Sequence, residues 1–237
     1  MPETAGFRWG TRMNLGDAAI VVAHPDDEVL WFSSLTAKVG RIVMCYGPNP
    51  RVAERGEQRR NVIQAYPFNT VQFFDLPEPG LWRGRSLGSV ESELARPVQE
   101  DPNYRSSLIY RLRGALQGFT TVFVHNPWGE YGHDDHRRLH AAVMALREEM
   151  NLAVYVSNYV ERRALGLMDS ALNEGVSDIV SFPVDRTEID PIVQLYQSNS
   201  CWTWSQNWGW PKEEHFFRLG QGAAIRETPI PLQLFGV

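Results

Sequence analysis

Ala18-Ala19-Ile20-Val21-Val22-Ala23-His24-Pro25-Asp26-Asp27-Glu28 sets a six-residue apolar run directly against an imidazole and three acids. A short, uninterrupted, Val/Ile-rich run is what a strand buried on both faces looks like. The Pro and acids that follow mark a turn into a helix, with carboxylates at its N-terminus. Working outward, Glu28 to Val39 reads as a helix and Arg41 to Tyr46 (RIVMCY) as a second strand, which completes one βαβ unit.

The same alternation continues. Val52 to Tyr66 has helical character, Val71 to Leu76 reads as a strand, Ser106 to Gln117 as a helix, and Thr121 to His125 (TVFVH) as another strand. A Gly-containing loop, NPWGEYGHDD, leads into a helix from about His136 to Met150. Further strands are expected at Ala153 to Asn158 and Asp178 to Pro183, with a helix around Ile189 to Tyr196. The predicted fold is α/β: a Rossmann-like, mostly parallel sheet flanked by helices, with the site at the carboxyl ends of the strands, where open α/β sheets bind ligands.

The 237 residues, 43% hydrophobic and 22% charged, are enough for one core, so a single domain over 1–237 is expected, with a Trp-rich segment at 199–237. A formal charge of -5 offers no basic patch for a phosphate backbone, which argues against nucleic acid. The N-terminus lacks a charged leader followed by a secretory apolar run, and no stretch is long enough to span a bilayer, so a cytoplasmic protein without membrane insertion is expected. A homo-oligomer is compatible with all of this. Cys45 and Cys201 have no metal-type spacing, so any metal must be held by His and carboxylates.

Two loops concentrate the chemistry. Adjacent carboxylates raise one another's pKa unless a cation neutralises them, so Asp26, Asp27 and Glu28 beside His24 suggest a divalent metal. Helix-terminal decoration is the alternative for the three acids and explains Glu28 well. The second cluster is Gly132-His133-Asp134-Asp135-His136-Arg137-Arg138-Leu139-His140, with three of the six histidines in eight residues. His133 and His136 share a face if the helix starts early; His136 and His140, one turn apart, form a rival pair.

Two further segments have two readings each. The Pro/Gly/Arg-rich stretch Pro77 to Asn103 is either a substrate rim or a mobile insertion. Trp202, Trp204, Trp208 and Trp210, half of the eight tryptophans, are either an aromatic wall for a sugar or a clamp on the core.

AHPDDE followed about a hundred residues later by GHDDH resembles the LmbE-like family, which includes the N-acetylglucosaminyl-phosphatidylinositol de-N-acetylases, over roughly residues 15 to 160. The resemblance implies one zinc, or another divalent metal, held by His24, Asp27 and His136. It implies Asp26 as general base toward the attacking water and His133 as oxyanion stabiliser or proton donor to the leaving amine. It also implies Asp135 as the acid that orients a neighbouring imidazole. Asp134 stands where many members have Pro and reads as a solvated turn residue.

The family's Arg and Glu after the second strand have Arg55 and Glu57 as nearest candidates, and its C-terminal His-Ser-Gln appears only as Gln197-Ser198-Asn199-Ser200. Trp128 and Tyr131, in the second loop, are candidate sugar contacts. The activity implied is removal of an N-acetyl or other N-acyl group from an amino sugar or glycoconjugate. A catalytically silent metal-binding module, or an amidase acting on a non-sugar amide, would carry the same motifs.

Overall fold

The structure, a computed structural model, describes residues 13–79, 89, 92–93, 101–173, 175–220 and 231–236. The expectations for the N-terminal leader and for most of the 77–103 loop lie outside the described residues. Strands β1 (Ala18–Val22), β2 (Arg41–Tyr46), β3 (Val71–Leu76), β4 (Thr121–Val124) and β5 (Ala153–Ser157) run parallel in the order β3-β2-β1-β4-β5. Beyond β5 the sheet continues with antiparallel β8 (Glu213–Leu219) and then β7 (Val176–Pro183), giving seven strands. β6 (Tyr159–Glu161) and β9 (Gln233–Phe235) form a separate parallel pair.

The apolar runs are continuous because both sheet faces are covered. On β1, Ala19 and Val21 join one core with Leu108 and Leu112 of α3 (Pro102–Ala115) and Leu139 and Val143 of α4 (Asp134–Leu146). Ala18, Ile20 and Val22 point the other way. They meet Leu30 and Trp31 of α1 (Asp27–Trp31), Val62 of α2 (Arg55–Gln64), and Ile192 and Tyr196 of α6 (Arg186–Ser198). A short helix α5 (Leu165–Leu172) packs on the first face.

Two departures from the sequence reading affect the site. Helix α1 ends at Trp31 rather than Val39: Ser33 Oγ and Ser34 N turn out to the buried Glu214 carboxylate at 2.7 and 2.8 Å, which breaks the helix into successive turns. Helix α4 does start early. His133 is its N-cap, its Nδ1 accepting the Asp135 amide at 3.2 Å, so His133 and His136 stand side by side.

The strand order reverses direction between β1 and β4, so the crevice at their carboxyl ends is the position an open α/β sheet offers for a ligand. Both His-bearing loops leave the sheet there. Among the described residues, no helix is long and apolar enough to cross a membrane.

Candidate metal and catalytic centre

His24 and Asp27 sit on the turn after β1, and His136 on the first turns of α4. Asp27 Oδ2 lies 3.3 Å from His24 Nδ1 and 3.4 Å from His136 Nε2. Its orientation is fixed by the His24 amide at 2.8 Å on Oδ2 and by the Trp31 indole at 3.0 Å on Oδ1. Burial would raise the Asp27 pKa, but the imidazoles of His136 and His125 hold it well below the usual carboxylate range.

Both spacings from Asp27 match the donor separations around a divalent cation, and His24, Asp27 and His136 each belong to one of the donor groups that lie close enough to share one. Ligand bonds of about 2.0–2.2 Å in a tetrahedral zinc site put neighbouring donors roughly 3.3–3.6 Å apart. His136 Nε2 is buried without a hydrogen-bond partner, while its Nδ1 lies 2.7 Å from Glu130 Oε2, the arrangement that leaves a lone pair on Nε2 for a metal.

Other groups of donors also lie close enough to share a cation, His24, His133 and His136 among them; two further candidates, His125 and Glu78, are engaged by hydrogen bonds. His125 also approaches Asp27, at 3.4 Å, but its Nε2 accepts the Ala23 amide at 3.0 Å and its Nδ1 faces Glu130 at 3.2 Å. Burial opposes charge on that ring and Glu130 and Asp27 favour it, with a net rise to about 9. The Ala23 N–H aimed at Nε2 nevertheless requires a lone pair there, so we assign the neutral ring.

Glu78, within reach of His24, is taken by Arg59 Nη1 and Asn49 Nδ2, each at 2.5 Å. His140 turns away: its Nδ1 donates to the His125 carbonyl at 2.9 Å, and it lines a separate small cavity behind the sheet, so the His136–His140 pair does not form.

Asp26 is the buried N-cap of α1 and is held at φ 105°, a left-handed conformation that non-glycine residues rarely adopt. Its amide donates to Glu28 Oε2 at 3.1 Å, and its Oδ2 accepts from the Thr203 amide at 3.2 Å and from the Thr203 hydroxyl. Burial and the neighbouring Asp27 raise its pKa to about 6, against the Thr203 hydrogen bond. Nothing in the motif spacing points to Thr203, 177 residues further on.

His133 stands across the pocket, its ring 5.2 Å from that of His24 and 4.5 Å from that of His136. Burial, and then His136, push its pKa well below the ordinary value, so the ring is neutral. With Nδ1 accepting the Asp135 amide, the proton resides on Nε2. Asp135 Oδ2 lies 3.4 Å from His24 Nε2, and the His24 hydrogen bond overcomes burial to bring Asp135 down to about 2. Asp135 and Asp27 in turn raise His24 to about 9 against burial.

His24 and Asp27, with Asp26, His133 and Asp135, line a cavity of about 440 Å³ whose walls include Tyr131, Trp204, Arg59, Arg51 and Arg163, and His136 lies buried behind them. Trp204 lies 5.3 Å from both Trp31 and Tyr131, centroid to centroid. The other three tail tryptophans pack onto the core around α1, and Trp210 Nε1 donates to the Val29 carbonyl at 2.6 Å. The clamp reading applies to all four, and Trp204 alone also lines the cavity.

Four expectations need correction. Trp128 is fully buried under its loop, its indole donating to the Tyr159 carbonyl at 2.8 Å, and does not face the cavity. Arg55 is off the cavity, donating to the Ser200 carbonyl, and Glu57 is exposed; the arginine of α2 that reaches the cavity is Arg59, one turn later. Asp134 is buried rather than solvated, with Arg137 3.9 Å away. Glu28 is no surface decoration: it is fully buried, accepting from Tyr66 and Tyr196 hydroxyls at 2.9 and 2.7 Å, and burial raises its pKa to about 8.

Fold and centre together define an open α/β protein with a buried histidine–carboxylate pocket at its switch point. No family model and no curated protein matches the chain. Solved structures do. A deacetylase in complex with teicoplanin, from the teicoplanin biosynthesis pathway, is similar at a TM-score of 0.55 and 13% identity, covering 86% of this chain and 99% of that one. A pseudoaglycone deacetylase of the antimicrobial reagent A40926 matches at 0.53 and 13%, covering 88% and 100%. The zinc-inhibited form of a teicoplanin deacetylase matches at 0.53 and 16%, covering 84% and 97%. At such identities the likeness is one of fold, and it is the fold that the paired motifs imply.

Proposed function

We propose that this protein is a zinc-dependent amide hydrolase that removes an N-acetyl or other N-acyl group from an amino sugar or a sugar-bearing intermediate. The observation that carries the proposal is Asp27 Oδ2 standing 3.3 Å from His24 Nδ1 and 3.4 Å from His136 Nε2, beside a cavity that Asp26 and His133 line. The deacetylases that share the fold support the reaction class.

Zinc held by three protein ligands supplies an activated water and polarises the acyl carbonyl. Asp26, with its pKa brought to about 6, is ionised at neutral pH yet basic enough to take a proton from the attacking water. It then returns that proton to the departing amine, so no covalent enzyme intermediate is needed. His133 acts as a neutral hydrogen-bond donor through Nε2–H toward the oxyanion of the tetrahedral adduct, since burial disfavours the imidazolium. Asp135 fixes the His24 ring through Nε2. Tyr131 and Trp204 present aromatic surface suited to a sugar face, and the cavity is of a size that holds one sugar unit.

The test is elemental analysis of the purified protein together with amine release from a panel of N-acetylated amino sugars, before and after chelation. About one zinc per chain and chelator-sensitive amine release are expected. Failure to bind any divalent metal under any loading condition overturns the proposal.

A further inference from the structure

Glu130 is a fully buried acid on the turn between β4 and α4, with its backbone at φ 52° and its amide donating to Asn126 Oδ1 at 2.9 Å. A non-glycine residue in that region costs about 1–3 kcal/mol and persists only where its surroundings enforce it. The surroundings here are hydrogen bonds. Oε1 accepts from Ser157 Oγ at 2.6 Å and from the Asn126 amide at 3.3 Å; Oε2 faces His136 Nδ1 at 2.7 Å and His125 Nδ1 at 3.2 Å. One carboxylate thus takes four donors, two on each oxygen.

The two histidines are stacked, with ring centroids 3.8 Å apart and planes 17° from parallel. Both turn Nδ1 to Glu130 and Nε2 toward Asp27. His125 Nε2 is closed by the Ala23 amide, the residue immediately before His24; His136 Nε2 is left open. His125 therefore braces His136 against the end of β1, and Glu130 sets the tautomer of both.

We propose that Glu130 is a positioning residue that holds His136 as the Nδ1–H tautomer with its Nε2 lone pair presented to the metal, with His125 as the stacked brace that fixes the ring plane. This rests on the metal-site reading above and adds two residues that the paired motifs do not contain. A glutamine at 130 cannot reproduce the arrangement. If its oxygen faces the histidines, its amide N–H faces the Asn126 amide; if its N–H faces the histidines, His136 must move its proton to Nε2 and lose the ligand lone pair.

The experiment measures zinc affinity by chelator competition in the wild type and in Glu130→Gln, with circular dichroism of the zinc-free proteins as a check on folding. A dissociation constant raised about 10–100-fold in a folded variant is expected. Unchanged affinity overturns the proposal.

Should the variant not fold, the wild type decides the matter through the ring ¹⁵N shifts of His136. In the zinc-loaded protein, a protonated Nδ1 with Nε2 coordinated is the expected result, and a protonated Nε2 refutes it. Should the wild type bind no zinc, the metal reading fails separately, and the same ring shifts in the zinc-free chain, recorded at a pH where the ring is neutral, still decide the tautomer.

Discussion

Replacing Thr203 by valine keeps the side chain's shape and removes one hydrogen bond to Asp26. Asp26 Oδ2 accepts from both the amide and the hydroxyl of Thr203, and only the second is lost. A hydrogen bond to a charged acceptor contributes about 1.5–3 kcal/mol. Thr203 is exposed, and water recovers part of that energy, so a net loss of about 1.4 kcal/mol is reasonable.

That energy stabilises the ionised form, so Thr203→Val should raise the Asp26 pKa from about 6 to roughly 7. The base is ionised above its pKa, so activity should fall on the acidic side and recover as pH rises. At pH 6 the ionised fraction drops from about one half to about one tenth, roughly a fivefold loss in kcat/KM. At pH 7 the loss is about twofold, and above pH 8.5 the variant and wild type should coincide. A cation at Asp27 moves both curves to lower pH without changing the sign of their difference. The assay is kcat/KM for amine release from pH 5 to 9.5. An acidic limb that does not move in the variant refutes Asp26 as the base, and a loss equal at every pH refutes the route through its ionisation.

Other variants separate the remaining roles. Asp26→Asn should abolish turnover and leave zinc bound, whereas His24→Ala should lose zinc; elemental analysis of both proteins distinguishes ligand from base. Glu28 keeps its proton in the folded chain up to about 8 because burial outweighs the Tyr196 and Tyr66 hydrogen bonds, but releases it near 4.5 when unfolded. The folded state then binds more protons between those values, and stability must fall as pH rises across them, on the order of 5 kcal/mol in total. Glu28→Gln mimics the protonated acid, its amide toward the two tyrosines and its oxygen toward the Asp26 amide, so urea unfolding of the zinc-free variant at pH 5.5 and 8.5 should show a much smaller loss than the wild type. Trp204→Ala removes one wall of the cavity and should raise KM with little change in kcat; a change in kcat alone would place Trp204 in the chemistry instead.

The parallel half of the fold was legible because its strands are buried on both faces, so β1, β2, β4 and β5 spell unbroken apolar runs that no amphipathic helix would produce. β8 was not, since Glu213, Glu214 and His215 make up its first half and leave Phe216 and Phe217 as a short apolar pair, and only the structure reveals that Glu214 is buried against Ser33, Ser34 and Tyr159. In the site, the motifs exposed the residues whose chemistry is unusual for a turn: His24, Asp26, Asp27, His133, Asp135 and His136. They did not expose Glu130 and His125, whose role depends on two rings stacking, although a histidine closing the TVFVH strand and an acid inside a Gly-flanked turn were both visible. Arg59 was missed by one helical turn, because α2 begins at Arg55 and faces the cavity a turn later.

Thr203 and Trp204, which contact the proposed base and line the cavity, come from a different part of the chain than the residues proposed to hold the metal. His24, Asp27 and His136 leave β1 and β4, strands fixed by the central packing, and can tolerate little movement without loss of the donor spacing. Thr203 and Trp204 stand on an irregular segment between α6 and β8, anchored by Trp202, Trp208 and Trp210 against α1. A loop on such an anchor can change length or sequence at its tip without disturbing the sheet. On the proposed function, substitutions at 24, 27 or 136 should act on whether the reaction occurs at all, while substitutions between Cys201 and Ser205 should act on its pH range and on which substrate fits. Exchanging that short segment for an unrelated sequence while keeping Trp202 and Trp208 should leave zinc content at the wild-type level and change the rank order of substrates in the amine-release panel; loss of zinc on such an exchange would mean that the tail supports the donors themselves.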